Sequence, residues 1–159
     1  MADVFISHLE WTGAAKGATD DPATFSRDLH VSIDGVTLPM SAAPGYHGDP
    51  SRANPEQLFV AAISACQALT YLFLAARHGI RVVGYTDDAQ GRLGMSEGKV
   101  HMSRVTLRPQ ITLEPGADDT RARELVAKAH ENCFIGNSVS TPIAIEPTVT
   151  FADAGVVAT

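Results

Sequence analysis

Two cysteines, Cys66 and Cys133, are the side chains in this sequence best suited to chemistry. The thiolate of cysteine is a nucleophile, and its oxidised sulfenic acid condenses with a second thiol to form a disulfide. Cysteine is also among the most buried residue types and often serves only as a small apolar side chain. Residue type therefore leaves both a redox role and a packing role open for each cysteine, and their wide separation in the chain does not pair them.

Charged side chains offer a second set of candidates. Glu56 stands in the first turn of a predicted helix, where a carboxylate can stabilise the positive end of the helix dipole. Arg27 falls on the apolar side of the alternating segment 24–33. There it is either an inward-facing cation or an edge residue whose charge reaches water. The six histidines do not show the spacing of metal ligands. The motif H-E-N-C, which ends at Cys133, supplies half of a zinc site at most. We expect neither a metal nor a cofactor.

A long helix around Cys66 is the clearest structural signal in the chain. Asn54 is a favourable N-cap, Pro55 suits the first helical position, and Gly79 is a usual residue after the last turn. These signals predict a helix within residues 54–80. Because the residues between its ends are apolar on nearly every side, we expect this helix to be buried on most of its surface.

Alternating apolar residues predict the other elements. They give strands over 3–11, 24–33, 36–40, 82–93, 99–113 and 143–151, and a second helix over 120–132 that ends beside Cys133. The order β-β-β-α-β-β-α-β indicates an α+β fold with antiparallel sheets wrapped around the long central helix. We expect a single domain over 1–159, with 152–159 as a loose tail.

Charge and composition exclude several classes of partner. The net charge is −6 and no cluster of Lys or Arg is present, which argues against nucleic acid and against anionic membranes. Ser64, Gln67 and Thr70 interrupt the long helix, which makes it a poor membrane span. The N-terminal residues show no secretory signal pattern, so we expect a cytoplasmic protein with reduced cysteines.

Two motifs resemble the OsmC/Ohr family of thiol peroxidases: N-P-E-Q-L-F-V-A-A-I-S-A-C around the first cysteine and A-H-E-N-C-F-I-G-N-S-V around the second. As a pair they are specific, and the order of elements agrees over nearly the whole chain. The resemblance implies an intertwined homodimer that reduces organic hydroperoxides. By position, Cys66 would be the peroxidatic cysteine, Cys133 the resolving cysteine and Glu56 the helix-start glutamate. The resemblance also implies a small dithiol or lipoyl-type group as the reductant.

An arginine is expected beside the reactive cysteine, because burial raises a thiol pKa and a fixed cation lowers it. Family members that reduce organic hydroperoxides carry this arginine in a T-G-G-R-type loop, whereas this chain reads T-G-A-A-K-G, with Ala15 and Lys16. The sequence S-R-D-L-H resembles an S-R-D-H-like strand of some relatives. That likeness assigns the role to Arg27, and Arg52 is the other candidate.

Helix geometry limits how these residues can meet. Glu56 and Cys66 are ten residues apart, about 15 Å along an unbroken helix. One arginine can hardly contact both within one chain, so a shared site would take Glu56 and Cys66 from different subunits. Apolar side chains near the cysteine (Phe59, Leu69 and Phe73) favour alkyl or fatty-acid hydroperoxides over hydrogen peroxide.

Two other functions fit the same pattern. One is an acyl-thioester hydrolase of the hotdog type, in which a sheet surrounds a long helix and Glu56 or Asp49 acts as the base. The other is a stress or ligand-binding protein without turnover, in which Cys66 is only a buried residue. A Cys66→Ser protein would separate the three: loss of alkyl hydroperoxide consumption supports the peroxidase, unchanged thioester hydrolysis supports the hydrolase, and neither activity leaves the protein without turnover.

Overall fold

The computed structural model describes residues 3–153, which fall into a unit ending at Leu58 and a unit beginning at Phe59. Most of the expected loose tail, from residue 154 onward, lies outside the described residues. The single domain over 1–159 stays a prediction. The fold is α+β with a long helix, as the sequence indicated.

The first unit contains a three-stranded antiparallel sheet formed by β1 (His8–Trp11), β2 (Leu29–Ile33) and β3 (Val36–Met40). The turn between β2 and β3 is Asp34-Gly35, and both residues have positive φ, as a tight hairpin requires. β1 and β2 are shorter than predicted. Arg27 therefore lies in the loop before β2, and its predicted place on the apolar face of a strand is wrong.

Helix α1 (Pro55–Arg77) begins where its sequence predicts. The backbone N–H of Gln57 donates to the side-chain oxygen of Asn54 at 2.9 Å, and the N–H of Asn54 donates to the side-chain oxygen of Gln57 at 3.0 Å. This reciprocal arrangement is a capping box, which satisfies two backbone donors at once. It anchors the start of α1.

The predicted burial of α1 on most sides is wrong for the described chain. Its fully buried residues recur at every fourth position and form one stripe: Ile63, Gln67, Tyr71 and Ala75. Apolar residues on another face are open to solvent, with Leu69 69% and Phe73 60% exposed. By length and composition α1 could also cross a membrane, a property that core helices of water-soluble proteins share.

Each of the three strands predicted after α1 is two strands in the structure. The first is β4 (Val82–Asp87) and β5 (Gln90–Ser96), and the second is β6 (Lys99–Leu107) and β7 (Pro109–Leu113). β8 (Ile143–Ile145) and β9 (Thr148–Phe151) replace the third. One half of every pair joins the sheet β4-β7-β9, and the other half joins the sheet β5-β6-β8.

Local chemistry explains these breaks. Pro109 has no backbone N–H to continue a ladder at the β6–β7 junction. The N–H of Arg108 at this junction donates instead to the carboxylate of Asp87, at 2.6 Å. Asp87 also accepts from the hydroxyl of Ser64 on α1. Pro147 occupies the corresponding position between β8 and β9.

Both sheets of the second unit are mixed, because β6 pairs with β8 and β7 pairs with β9 in parallel. Parallel neighbours need a crossover, and helix α2 (Asp119–Glu131) lies between β7 and β8 in the chain. Asp118 caps α2 by accepting from the N–H of Arg121 at 2.9 Å. The main core contains residues of α1, α2 and the β4-β7-β9 sheet, among them Tyr71, Ile111, Leu113, Leu125 and Ala129.

Candidate active site

The structure brings the two cysteines together. Cys66 is half-buried on α1, and Cys133 is 1% exposed where α2 gives way to the short helix α3 (Phe134–Asn137). The two sulfurs are close enough for each thiol to shift the pKa of the other, and both are free thiols. Residues far apart in the sequence therefore form one dithiol site within the second unit.

Backbone amides of α3 hold both sulfurs. The N–H of Ile135 donates to Sγ of Cys66 at 3.5 Å, and the N–H of Gly136 donates to Sγ of Cys133 at 3.3 Å. A β-carbon at position 136 would lie 3.3 Å from the Cys133 sulfur, tighter than most contacts of that kind. Glycine therefore allows this amide to approach the sulfur closely.

The two thiols have opposite acidities. Burial alone raises the pKa of Cys66, but hydrogen bonds to its sulfur from Cys133 and from the Ile135 and Phe134 amides outweigh burial, so the pKa lies below its usual value. Burial raises the pKa of Cys133, and its hydrogen bond to Cys66 raises it further. Cys66 is thus the thiol that ionises first, as a nucleophile must.

A cavity of about 640 Å³ adjoins the site. Its lining is mainly apolar and consists of Cys66, Leu69, Thr70, Phe73, Leu74, Arg77, Asn132 and Phe134. A cavity of this size accommodates a small organic molecule with access to the Cys66 sulfur. Sequence reasoning missed Arg77 and Thr70, although their spacing from Cys66 on a helix was a usable signal.

Glu56 lies in the first turn of α1, within the first unit. Its Oε2 atom is buried and finds no hydrogen-bond partner in residues 3–153. An unpaired buried carboxylate oxygen is costly, and a guanidinium would satisfy it. Oε2 of Glu56 therefore lacks a hydrogen-bond donor from the described chain.

Arg27 is engaged locally in the first unit. Its guanidinium donates to the backbone carbonyls of Pro22 and Phe25, and its Cζ lies 4.0 Å from the centroid of the Phe25 ring. These contacts fix the side chain through hydrogen bonds and a cation–π interaction. Within the first unit, the predicted catalytic arginine binds its own loop.

Arg52 lies among acidic side chains of the same unit. Its Nε is 3.4 Å from Asp49 and 3.7 Å from the buried Asp28, which also binds Lys16 at 2.7 Å. Nη1 of Arg52 is buried and, like Oε2 of Glu56, unpaired within the described range. Hydrogen bonds from Ser51 and the charge of Arg52 lower the pKa of Asp49, which makes it a weak base for a hydrolase.

No group of His, Cys, Asp and Glu side chains suited to a metal ion occurs in residues 3–153.

Comparisons with known proteins agree on one family. The family profile described as OsmC-like protein matches residues 48–148. A search of curated proteins found no significant match. Among solved structures, an OsmC-like protein of unknown function from Vibrio cholerae is 32% identical, with a TM-score of 0.85, over 92% of this chain and 100% of its own.

Two further structures share the fold. An organic hydroperoxide resistance protein from Elizabethkingia anophelis is 25% identical, with a TM-score of 0.68, over 96% of this chain and 100% of that one. A protein from Legionella pneumophila, described as an organic hydroperoxide resistance protein and predicted redox protein, is 22% identical. Its TM-score is 0.69, over 94% of this chain and 98% of its own.

Proposed function

Since the chain belongs to the OsmC-like family, we propose that it is a thiol-dependent peroxidase that reduces organic hydroperoxides to alcohols. The observation that carries the proposal is the pairing of Cys66 and Cys133, whose sulfurs accept from the successive amides of Ile135 and Gly136 and of which the more accessible thiol has the lowered pKa. Relatives described as organic hydroperoxide resistance proteins support the choice of substrate.

The proposed reaction uses both sulfurs. The Cys66 thiolate attacks the distal oxygen of ROOH, the O–O bond breaks, and the alkoxide takes a proton from solvent to leave as ROH. Cys66 keeps the second oxygen as a sulfenic acid. Cys133 then attacks the Cys66 sulfur, an S–S bond forms, and the hydroxyl leaves as water with the Cys133 proton.

An external dithiol completes the cycle by two thiol–disulfide exchanges. Its own sulfurs become oxidised to a disulfide while Cys66 and Cys133 return to thiols. A small dithiol or lipoyl-type group suits this step, because it must reach a partly buried sulfur. A reducing, cytoplasmic setting would keep both thiols free between turnovers.

The difference in burial supports Cys66 as the peroxidatic cysteine and Cys133 as the resolving cysteine. Cys133 is almost fully buried, whereas Cys66 opens onto the 640 Å³ cavity, so a peroxide meets Cys66 first. Because successive amides of α3 hold the two sulfurs at one site, we expect the disulfide to require only a modest backbone shift. A thiol with a raised pKa is a poor first nucleophile, which suits a resolving cysteine.

A homodimer with shared sites is part of the proposal. Two observations support it: the exposed apolar face of α1 that carries Leu69 and Phe73, and the buried, unpaired carboxylate oxygen of Glu56. Glu56 of one subunit would hold an arginine beside Cys66 of the other. Arg27 is our first assignment for that arginine, and Arg52 is the alternative.

Titration of free thiols tests the function directly. One equivalent of cumene hydroperoxide should convert two free thiols per chain to none and produce one equivalent of cumyl alcohol. Cys66→Ser should consume no peroxide. Cys133→Ser should consume one equivalent and stop at a sulfenic acid that dimedone traps. If both thiols of the wild-type protein stay free after peroxide treatment, the proposal is wrong.

A further inference from the structure

Gln67 is an amide within the apolar stripe that α1 buries. It follows Cys66 directly in the chain, and it is 1% exposed, between the buried Ile63 and Tyr71. Its Nε2 donates to the backbone carbonyl of Val126 on α2 at 3.1 Å, and this hydrogen bond is buried. A side-chain bond therefore joins α1 to α2 at the level of the reactive thiol.

The Gln67 amide is poorly explained by stability alone. Its other polar atom, Oε1, is buried and has no hydrogen-bond partner within residues 3–153. The modest net gain from one buried hydrogen bond is offset by a buried acceptor that is left unpaired. An apolar side chain of similar length would extend the stripe at no such cost. What the amide adds is a bond with a fixed direction.

The carbonyl that Gln67 binds lies two helical turns before Cys133. Val126 and Cys133 are seven residues apart, about 10 Å along a helix and nearly in line on one face. The N–H of Cys133 donates to the carbonyl of His130 at 3.2 Å, so the chain stays coiled beyond the end of α2. α2 and the turn after it therefore meet α1 at two places, the Gln67 bond and the dithiol site.

Two contacts fix α2 where one contact would let it turn. Gln67 and Cys66 are neighbours on α1, whereas their partners on α2 and its following turn are about 10 Å apart. Apolar contacts hold α2 against the core without setting its register, because they have no preferred direction. The hydrogen bond has a preferred distance and angle, so it fixes Val126 and, with it, the end of α2 that leads to Cys133.

We propose that Gln67 is a positioning residue that holds α2 in register and thereby keeps Cys133 beside the Cys66 sulfur for disulfide formation. The inference concerns the resolving step and rests on the dithiol mechanism of the proposed function. Gln67 does not belong to the described lining of the cavity where the peroxide would bind, so it acts through α2.

The equilibrium between the dithiol and its disulfide measures this positioning without any peroxide. Oxidised glutathione is the oxidant. Its S–S bond breaks, the Cys66–Cys133 bond forms, and two molecules of reduced glutathione leave with the two thiol protons. The equilibrium constant of this reaction, called the oxidation constant below, reports how closely the protein holds its two thiols.

Gln67→Met removes the donor and keeps the length of the side chain. The disulfide form is held by its covalent bond, so the reduced form gains more freedom from the loss. We expect the oxidation constant to fall about three- to tenfold, which raises the reduction potential by about 15 to 30 mV. Gln67→Asn keeps an amide that is too short to reach Val126 and should also lower the constant.

Asp118→Ala is the matched control, because Asp118 caps the opposite end of the same helix. It should lower the melting temperature by about 2–4 °C and leave the oxidation constant at the wild-type value. Gln67→Met should show the reverse pattern, with a lower constant and a melting temperature within about 2 °C of wild type. The two variants together separate positioning from stability.

The outcomes distinguish this inference from the peroxidase function. If both Gln67 variants keep or exceed the wild-type oxidation constant while the wild-type protein consumes cumene hydroperoxide, the inference is overturned and the peroxidase function stands. If the constant falls in both variants but the wild-type protein consumes no hydroperoxide, the positioning role stands and the peroxidase function is wrong. An equal fall in Asp118→Ala overturns the inference, and so does a wild-type protein that forms no Cys66–Cys133 disulfide with glutathione.

Discussion

Cys66 and Cys133 form one dithiol site in which each thiol shifts the pKa of the other. This contact lowers the pKa of one thiol and raises that of the other, so a single interaction separates the nucleophile from the resolving group. The neighbouring amides of Ile135 and Gly136 hold the two sulfurs at the same site.

The acidity of Cys66 should depend on Cys133. We expect Cys133→Ala to raise the pKa of Cys66, measured as the midpoint of its iodoacetamide alkylation rate against pH. Cys133→Ser keeps a hydroxyl donor and should raise it less. An unchanged midpoint in Cys133→Ala would show that the Ile135 and Phe134 amides stabilise the thiolate without help from Cys133.

The reduced protein should lose stability in alkali. The pKa of Cys133 is raised from 9.0 to about 11, so its contribution is complete below pH 9.0 and is lost as the pH rises toward 11. Cys66 has a lowered pKa and acts oppositely, adding stability as the pH rises toward 9.0. Urea unfolding of the reduced protein should show the free energy of unfolding falling by about 3 kcal/mol as the pH rises from below 9 to above 11.

The disulfide form is the control for this titration, because neither sulfur can then ionise. Its unfolding free energy should fall less between pH 9 and 11. Equal slopes for the reduced and oxidised forms would assign the alkaline loss to other groups, such as the buried Tyr71, whose pKa burial raises to about 12.

The choice of activating arginine can be decided by two substitutions. Arg27→Gln should lower kcat/KM for cumene hydroperoxide about 10- to 100-fold, the range for a hydrogen bond to a charged group. Arg52→Gln should cost much less, and Arg104→Gln should cost nothing. If Arg52→Gln lowers kcat/KM more than Arg27→Gln does, the activating arginine is Arg52, whose buried Nη1 is unpaired within residues 3–153.

Shared sites predict complementation between two weakened proteins. A mixed dimer of Glu56→Gln and Cys66→Ser subunits contains one site with both native residues. Random pairing should then restore about one quarter of wild-type activity, because half the dimers are mixed and each has one intact site. Peroxidase activity is measured after the two proteins are unfolded and refolded together, and no recovery would place both residues of a site in one chain.

The start of α1 should respond to loss of its cap. Asn54→Ala removes the acceptor for the Gln57 amide and should lower the free energy of unfolding by about 1 kcal/mol. For a chain of this length the melting temperature should fall by about 2–4 °C. In a Gln57→Ala background the added cost should be smaller, since the two side chains cap each other.

Local signals in the sequence predicted the ends of α1 well, because capping depends on a few neighbouring residues such as Asn54 and Gly79. The orientation of α1 could not be predicted the same way. Gln67 is buried and Leu69 is exposed, so hydrophobicity alone points to the wrong face. That choice depends on residues of α2, such as Val126, whose carbonyl accepts from the Gln67 amide.

Strand breaks were likewise beyond the sequence pattern. Alternation continues through Arg108, and the break at Pro109 is stabilised by the carboxylate of Asp87, which arrives from another strand and accepts from the Arg108 amide. The meeting of Cys66 and Cys133 was implied by family resemblance and not by spacing. Arg77 was recognised only as a last-turn cation, because its relation to the thiol requires the cavity.

The division of each long strand between two sheets has a mechanical consequence for the second unit. The connections β4–β5, β6–β7 and β8–β9 each lead from one sheet to the other, so the chain links the two sheets at three points. We therefore expect the two sheets to unfold together rather than one at a time. The unit that carries the two thiols is thus built on two sheets that share three chain connections.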